Sequence, residues 1–310
     1  RSLIKINNEK KLDDSQLINY VNFGVVPSPN TLFKNVYKLE PGCVLEVDFS
    51  KNKLQKKTSS FWKIENYISN NKFDSEEFFN LFFDAVRLRL ESDVPVANFA
   101  SGGIDSTSII KALHDMNVEE INTFSITNLE KKYDESKWSD LVASKYDTNH
   151  TKYEIASTVS NQDIFDSIDI FDEPYSDPST VPSYILSKAI SGTYKVAISG
   201  DGGDELLGGY ERLNKTLSNK SRIRSSLSVL YNLYPSFLGT GNRFLSESTN
   251  LQLSYSSFFE DLKLLKILNL EPKNKFSEDY MGNTENSYKE LLISDYKLYL
   301  YEMMTHKIDR

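Results

Sequence analysis

Apolar and polar positions between residues 74 and 199 follow a pattern that predicts helices and strands in turn. The acidic start at residues 74–77 is followed by apolar side chains three and four positions apart, which predicts an amphipathic helix. Those apolar positions are Phe78, Leu81, Phe82, Ala85, Val86 and Leu90. The apolar run at residues 94–100 then has the length and β-branched content of a buried strand.

The same alternation continues beyond this strand. Helical patterns cover residues 107–113, 135–145, 157–170 and 179–190, and strand patterns cover 121–126, 151–155 and 194–199. Strands that alternate with helices in this way predict an α/β fold, a parallel sheet sandwiched by helices. From about residue 211 onward the pattern is mostly helical, with loops predicted near Pro235 and over residues 271–285.

Composition favours a soluble cytoplasmic enzyme with a substantial core. The chain has 310 residues, 39% of them hydrophobic and 26% charged, and its single cysteine excludes a disulfide framework. No apolar run approaches the ~20 residues that span a bilayer, so we expect no membrane partner. A net charge of −8 argues against nucleic-acid binding. The basic residues Arg212, Lys215, Lys220, Arg222 and Arg224 are interpreted as a solvated helix face or a mobile loop.

The motif Ser101-Gly102-Gly103-Ile104-Asp105-Ser106 stands where a predicted strand turns into a predicted helix. Backbone N–H groups and the positive helix end then point at one place, which suits a phosphate. The loop lacks the Lys-Ser/Thr pair of a Walker loop and the three spaced glycines of a dinucleotide loop, so a pyrophosphate loop remains. Its glycines permit close backbone approach, and Ser101 and Ser106 add hydroxyl donors.

Asp105 is an anion among phosphate-binding groups, which is useful only if a divalent cation lies between it and the phosphates. The motif therefore predicts Mg²⁺; the alternative is a purely structural turn. A second glycine-rich turn at residues 199–210 carries Asp201, Asp204 and Glu205. The alternative for these three carboxylates is an exposed acidic helix start. His114, His150 and His306 stand apart in sequence, which indicates packed or surface histidines rather than a metal site or a triad.

Further motifs lie at residues 123–126, 133–136, 171–174, 177–179 and 199–210, with a Lys-x-Asp-Arg sequence at 307–310. The loop at residues 101–106 resembles that of the PP-loop ATP pyrophosphatases, and these further motifs narrow the resemblance to the synthetase domain of glutamine-dependent asparagine synthetases. They stand in the order and at roughly the spacing of that family, so the resemblance covers nearly the whole chain.

The resemblance implies MgATP as the activating substrate and assigns roles to single residues. Asp105 and Asp204 would share Mg²⁺, Asp201 would face the activated carboxyl group and the attacking amine, and Lys307 would stabilise phosphate charge. For Lys307 the alternative is a terminal lysine in solvent. The remaining residues implied for binding ATP and pyrophosphate are Phe99, Ser101, Gly102, Gly103, Asp105, Ser106, Ile126, Ser199 and Gly200.

The resemblance also implies a domain organisation. Residues 1–62 are similar to the tail and linker that follow a glutaminase domain, and 63–310 to an ATP-dependent synthetase domain truncated at its C-terminus. We expect the glutaminase to be absent, since its nucleophile would be an N-terminal cysteine, whereas Cys43 lies in a linker-like segment. The sequence is thus interpreted as the middle portion of a longer protein, without glutamine hydrolysis of its own.

The implied reaction is amide formation through an acyl-adenylate, converting aspartate and ammonia to asparagine with release of AMP and pyrophosphate. Two alternatives stay open at this stage. A related amidotransferase could amidate another carboxylate or close a ring, and a decayed relative could be a non-catalytic nucleotide-binding module. The resemblance is also compatible with a homodimer.

Overall fold

The chain divides into two compact units in the computed structural model. Unit 1 comprises Arg1–Ser69, Asp172–Ser176 and Asp204–Arg310, and unit 2 comprises Asn70–Phe171 and Asp177–Gly203. The structure describes residues 11–50, 54–69, 71–127, 134–154, 159–219, 255, 264, 267–268 and 287–309. The predicted division at residue 62 concerns a glutaminase linker and stays a prediction.

The described N-terminal residues of unit 1 form helix α1, Asp14–Phe23, and an antiparallel hairpin of β1, Cys43–Asp48, with β2, Gln55–Ser60. Asp13 caps α1 by accepting a hydrogen bond from the Ser15 backbone N–H at 3.1 Å. Gly24 ends the helix in the left-handed region, with φ at +73°. A 3-10 turn follows at Ile64–Tyr67. The stretch predicted to be a linker therefore contains regular structure that its sequence pattern did not indicate.

Unit 2 contains four parallel strands in the order β5-β4-β3-β6. The strands are β3 (Val96–Phe99), β4 (Asn122–Thr127), β5 (Asn149–Glu154) and β6 (Val196–Ile198). The helices are α2 (Ser75–Arg89), α3 (Ile104–Asp115), α4 (Ser136–Tyr146), α5 (Asn161–Asp169) and α6 (Thr180–Ile190). The predicted α/β fold with a parallel sheet is confirmed.

Two apolar clusters cover the sheet of unit 2. Ala97, Phe124, Leu186 and Ile190 form one cluster, so α6 packs on that face. The other cluster brings α2, α3 and α4 together through Val86, Ala100, Ile110, Ala112, Leu113, Ile121 and Val142. Because successive strand residues point to opposite faces, the helices lie on both sides of the sheet. Leu81 of the predicted apolar stripe is exposed, since it lies five positions before Val86 and therefore well around the helix.

The described residues in the C-terminal part of unit 1 are mainly helical. It contains α7 (Gly203–Leu207), α8 (Glu211–Asn219), α9 (Ser287–Ser294), a π-helix at Asp295–Met304 and α10 (Thr305–Ile308). These helices share a core with the N-terminal stretch of unit 1, which ends at Ser69. The core is formed by Phe23, Val25, Leu213, Tyr255, Leu291, Leu298, Leu300, Met303 and Met304. The loops predicted near Pro235 and over 271–285 lie outside the described residues. No helix among those described is long and apolar enough to cross a membrane.

Arg212 corrects the interpretation of the basic cluster. Its side chain is 14% exposed and forms an ion pair with the Asp295 carboxylate at 2.9 Å. The guanidinium also lies 3.8 Å from the ring centroid of Tyr210 and 4.4 Å from that of Tyr299. The guanidinium group thus lies against aromatic rings and pairs with Asp295, so this charged side chain is largely buried. Lys215 on the same helix is exposed as predicted, and Lys220, Arg222 and Arg224 lie outside the described residues.

Candidate nucleotide site

The first glycine turn continues directly from β3. The Ala100 backbone N–H still donates to the Phe124 carbonyl at 2.8 Å, and the chain then turns into α3, for which Gly103 is the N-cap residue. Gly102 has φ at +81°, and a Cβ atom built on it would lie 2.5 Å from Trp138 Cβ. Glycine is required here both for the backbone conformation and for the approach of α4.

Two hydroxyl groups line the turn. Ser101 Oγ lies 3.1 Å from Ser106 Oγ and accepts a hydrogen bond from the Gly103 N–H at 3.2 Å. Ser106 is buried and its hydroxyl lies 3.3 Å from the Gly103 carbonyl, whereas Ser101 is exposed. The hydroxyl pair is therefore held at the start of a twelve-residue helix, where backbone N–H groups and the helix dipole favour an anion.

The second glycine turn meets the first around Asp105. Strand β6 pairs with β3 up to Ile198, so Ser199 and Gly200 leave the sheet at the same edge as the first turn. A Cβ atom on Gly200 would lie 2.9 Å from the Ser106 backbone nitrogen, and one on Gly203 would lie 2.3 Å from Asp105 Cγ. Gly203 was not predicted as a site residue, although its place in the Gly202-Gly203 pair was a usable signal.

The residues predicted to hold adenosine follow the same edge of the sheet. Phe99 and Ile126 are partly buried and pack against the apolar cluster that includes Leu186. Strands β4, β3 and β6 are neighbours, so the ends of the three strands carrying Ile126, Phe99 and Ser199 lie side by side. The strand order thus places these strand ends side by side, and their convergence on a nucleotide stays a prediction.

The predicted acidic residues fall in both units. Asp201 is exposed in the second glycine turn of unit 2. Asp204 belongs to unit 1, where the Gly208 and Gly209 N–H groups donate to its carbonyl at 2.9 and 3.0 Å. Among the described residues, no group of three or more His, Cys, Asp or Glu side chains could hold a metal ion. The shared Mg²⁺ role of Asp105 and Asp204 stays a prediction.

Lys307 lies in the short helix α10 at the end of unit 1. The residue is partly buried, and its Nζ lies 3.6 Å from the Met304 thioether sulfur. Its predicted role toward phosphate charge stays a prediction.

A polar network that was not predicted connects strands β4 and β5 with the part of α4 that contacts the first turn. His150 Nδ1 lies 2.9 Å from Thr123 Oγ1, and its Nε2 lies 3.1 Å from Ser125 Oγ. Ser125 continues to Ser139 Oγ at 3.3 Å, on the turn of α4 that lies against Gly102. Burial lowers the pKa of His150 below its ordinary value. His150 is thus a packed histidine, as expected, and its ring joins β4 to β5.

Comparison with known proteins decides the family. Residues 77–310 match the family described as asparagine synthase. The chain belongs to this family. A Methanocaldococcus jannaschii protein whose name assigns it to the glutamine-hydrolysing asparagine synthetases is 32% identical over 252 residues, 74% of this chain and 48% of its own length. The glutamine-hydrolysing asparagine synthetase 1 of Bacillus subtilis is 30% identical, over 74% of this chain and 36% of its own length.

The chain spans about half or less of the length of these two relatives. Among solved structures, an NH3-dependent NAD synthetase from Campylobacter jejuni aligns with 59% of this chain and 96% of its own chain. That alignment has a TM-score of 0.31 at 14% sequence identity.

Proposed function

We propose that this protein forms an amide by ATP-dependent activation of a carboxylate, converting aspartate to asparagine with release of AMP and pyrophosphate. One observation carries the proposal: two glycine-rich turns meet around the Asp105 carboxylate in a chain that belongs to the asparagine synthase family. The ammonia would come from glutamine hydrolysis, the reaction that the names of the relatives specify.

The residues at the first turn fit a phosphate group and a divalent cation. The glycines of this turn let a phosphate approach the backbone closely. Two hydroxyl groups and the N–H groups at the helix start then supply neutral hydrogen-bond donors for phosphate oxygens. The Asp105 carboxylate would repel phosphate on its own, and its oxygens are the ligand type that Mg²⁺ prefers. Asp105 and Asp204 would hold Mg²⁺, which would neutralise charge on the phosphates.

The chemistry has two steps. An aspartate carboxylate oxygen attacks the α-phosphorus of ATP, and the bond to the β-phosphate breaks so that pyrophosphate leaves. Ammonia nitrogen then attacks the acyl carbon, loses a proton and displaces AMP. We propose that the Asp201 carboxylate faces the attacking amine. The Lys307 ammonium stabilises the negative charge that develops on the phosphates in the first step.

Oxygen labelling tests this reaction. With ¹⁸O in the aspartate carboxylates, the bridging oxygen of the acyl-adenylate must remain with AMP, so labelled AMP is expected. Production of ADP, or of AMP without label from any tested carboxylate, contradicts the mechanism. Labelled AMP with a carboxylate other than aspartate retains the mechanism and changes the substrate.

Substitution of Lys307 tests its assigned role. Lys307→Ala should lower kcat about 10²- to 10³-fold while ATP affinity changes little, because the stabilised charge develops during the transfer. Lys215→Ala is the matched control, since Lys215 is an exposed lysine of the same unit that pairs with Glu211 at 3.0 Å. Equal kcat values for the two variants would exclude Lys307 from the chemistry.

A further inference from the structure

Three segments distant in sequence meet beside the helix that carries Lys307, all within unit 1. The Ser176 N–H donates to the Gly24 carbonyl at 2.9 Å, and a Cβ atom on Gly24 would lie 2.6 Å from the Ser176 carbonyl oxygen. Tyr175 OH donates to the Met303 carbonyl at 2.9 Å. Residues 172–176 therefore lie between the N-terminal stretch and the C-terminal helix, the π-helix Asp295–Met304.

The buried Glu302 carboxylate, the largely buried Glu173 carboxylate and Lys38 occupy the same junction. Lys38 Nζ donates to the Val26 carbonyl at 2.5 Å and lies 3.5 Å from Glu173 Oε2. Glu302 accepts a hydrogen bond from the Ser28 N–H at 2.7 Å. Burial raises the pKa of both Glu173 and Glu302, and the positive charge of Lys38 opposes that rise for both. We call Lys38, Glu173 and Glu302 the Lys38 anchor.

The charge balance of the anchor depends on Lys38. A buried carboxylate without a positive partner is costly, and removing one member of a buried pair leaves the other uncompensated. With Lys38 replaced by a neutral side chain, Glu173 and Glu302 would both lose the positive charge that acts on them. The structure could respond by protonation of a carboxylate or by separation of the segments that carry them.

Either response would affect the position of Lys307, because only a few residues separate it from the anchor. Glu302 and Met303 lie in the π-helix that ends at Met304, and Lys307 lies in the next turn. The Lys307 ammonium touches the Met304 sulfur at 3.6 Å, and the Tyr175 ring lies 5.8 Å from the ring of His306. The anchor thus holds the helix immediately before Lys307.

We propose that Lys38 is a positioning residue for Lys307, which it holds by neutralising Glu173 and Glu302 where the N-terminal stretch meets the C-terminal helix. The proposal rests on the proposed function for the chemistry of Lys307 and goes beyond it by giving the N-terminal stretch a part in the active site. A misplacement of about 1 Å at a reacting centre is enough to lower a rate about 10²-fold.

Lys38→Met in the full-length protein is the test, with Lys34→Met as the control because Lys34 is exposed four positions earlier in the same stretch. We expect Lys38→Met to lower kcat about 10- to 100-fold with KM for ATP nearly unchanged. Lys38→Arg should retain most of the activity because it keeps the charge. A kcat for Lys38→Met equal to that of the control overturns the proposal.

A second measurement separates this proposal from the proposed function. Amine labelling of Lys307, quantified by mass spectrometry, reports the environment of its ammonium without any turnover. Changed labelling in Lys38→Met but not in Lys34→Met supports the anchor even if Lys307→Ala turns out to be active, and unchanged labelling overturns it. If Lys38→Met does not fold, Glu302→Gln replaces it in both assays, since its amide oxygen still accepts from Ser28 while one charge of the anchor is lost.

Discussion

The Asp105 carboxylate fills the space that a side chain on Gly203 would need. A Cβ atom on Gly203 would lie 2.3 Å from Asp105 Cγ and 2.5 and 2.8 Å from its two carboxylate oxygens, all shorter than van der Waals contact. The two glycine turns of unit 2 are thus fitted to each other at the residue proposed to face the phosphates and Mg²⁺.

Gly203→Ala should therefore weaken ATP binding about tenfold or more, because the added methyl group displaces the Asp105 carboxylate. Gly192→Ala is the matched control, since a Cβ atom there would meet nothing within 4 Å. ATP titration in the presence of Mg²⁺ measures the effect. Equal affinities in the two variants would show that the position of Asp105 has no bearing on nucleotide binding.

Gly102→Ala should lower the free energy of unfolding by about 1–3 kcal/mol, because the alanine would take a left-handed conformation and overlap Trp138. Gly103→Ala is the comparison, with φ at −68° and a nearest contact of 3.2 Å to Ser101 Oγ. Urea denaturation of both variants checks the difference. A Gly102→Ala variant as stable as Gly103→Ala would contradict the tight approach of α4.

Asp105→Ala should remove the dependence of ATP binding on divalent metal. With Asp105 in place, Mg²⁺ is expected to strengthen binding because it turns a repulsion between anions into an attraction. ATP titrations of the native protein and the variant, each with and without Mg²⁺, give four affinities. Four equal values would remove the argument for a metal bridge.

His150 predicts a pH dependence of stability. Burial lowers its pKa below the ordinary value of 6.5, so the folded chain binds fewer protons at this site than the unfolded chain. The free energy of unfolding should consequently decrease as pH falls from 6.5 through the lowered pKa. The charged groups acting on the ring are Asp140, which raises this pKa, and Lys152, which lowers it; they pair with each other at 2.9 Å.

Chemical denaturation across mildly acidic pH measures this effect. His150→Gln should flatten the decrease, whereas His114→Gln, at a half-exposed position on α3, should leave it in place. If the His150→Gln variant loses stability with acid as steeply as the native chain, the decrease originates elsewhere.

The sequence predicted the parallel sheet because apolar positions recur with different spacings in strands and in helices. These elements also follow one another closely along the chain. It also predicted a glycine turn at residues 101–106 between a strand and a helix, although helix α3 begins at Ile104, three residues before the predicted helical stretch. The hairpin of β1 and β2 escaped prediction because the six residues of β2 are exposed and polar, so they carry no apolar alternation.

The Lys38 anchor escaped prediction for a different reason. Its members come from positions 38, 173 and 302, and each alone has the character of an ordinary surface residue. Only the folded chain shows that Glu302 is buried, that the Glu173 side chain is largely buried and that Lys38 Nζ lies 3.5 Å from Glu173. The same applies to Arg212, whose guanidinium group lies against the rings of Tyr210 and Tyr299.

The chain passes between its two units four times, which sets an order of events during synthesis. All residues of unit 2 have been made once Gly203 has been added, so its sheet can form early. Unit 1 must wait, because Phe23 and Val25 belong to the same buried cluster as Leu298 and Met303, which are made after all of unit 2. Until those residues have been made, Phe23 and Val25 lack these partners, and the long sequence separation is expected to slow the formation of this core.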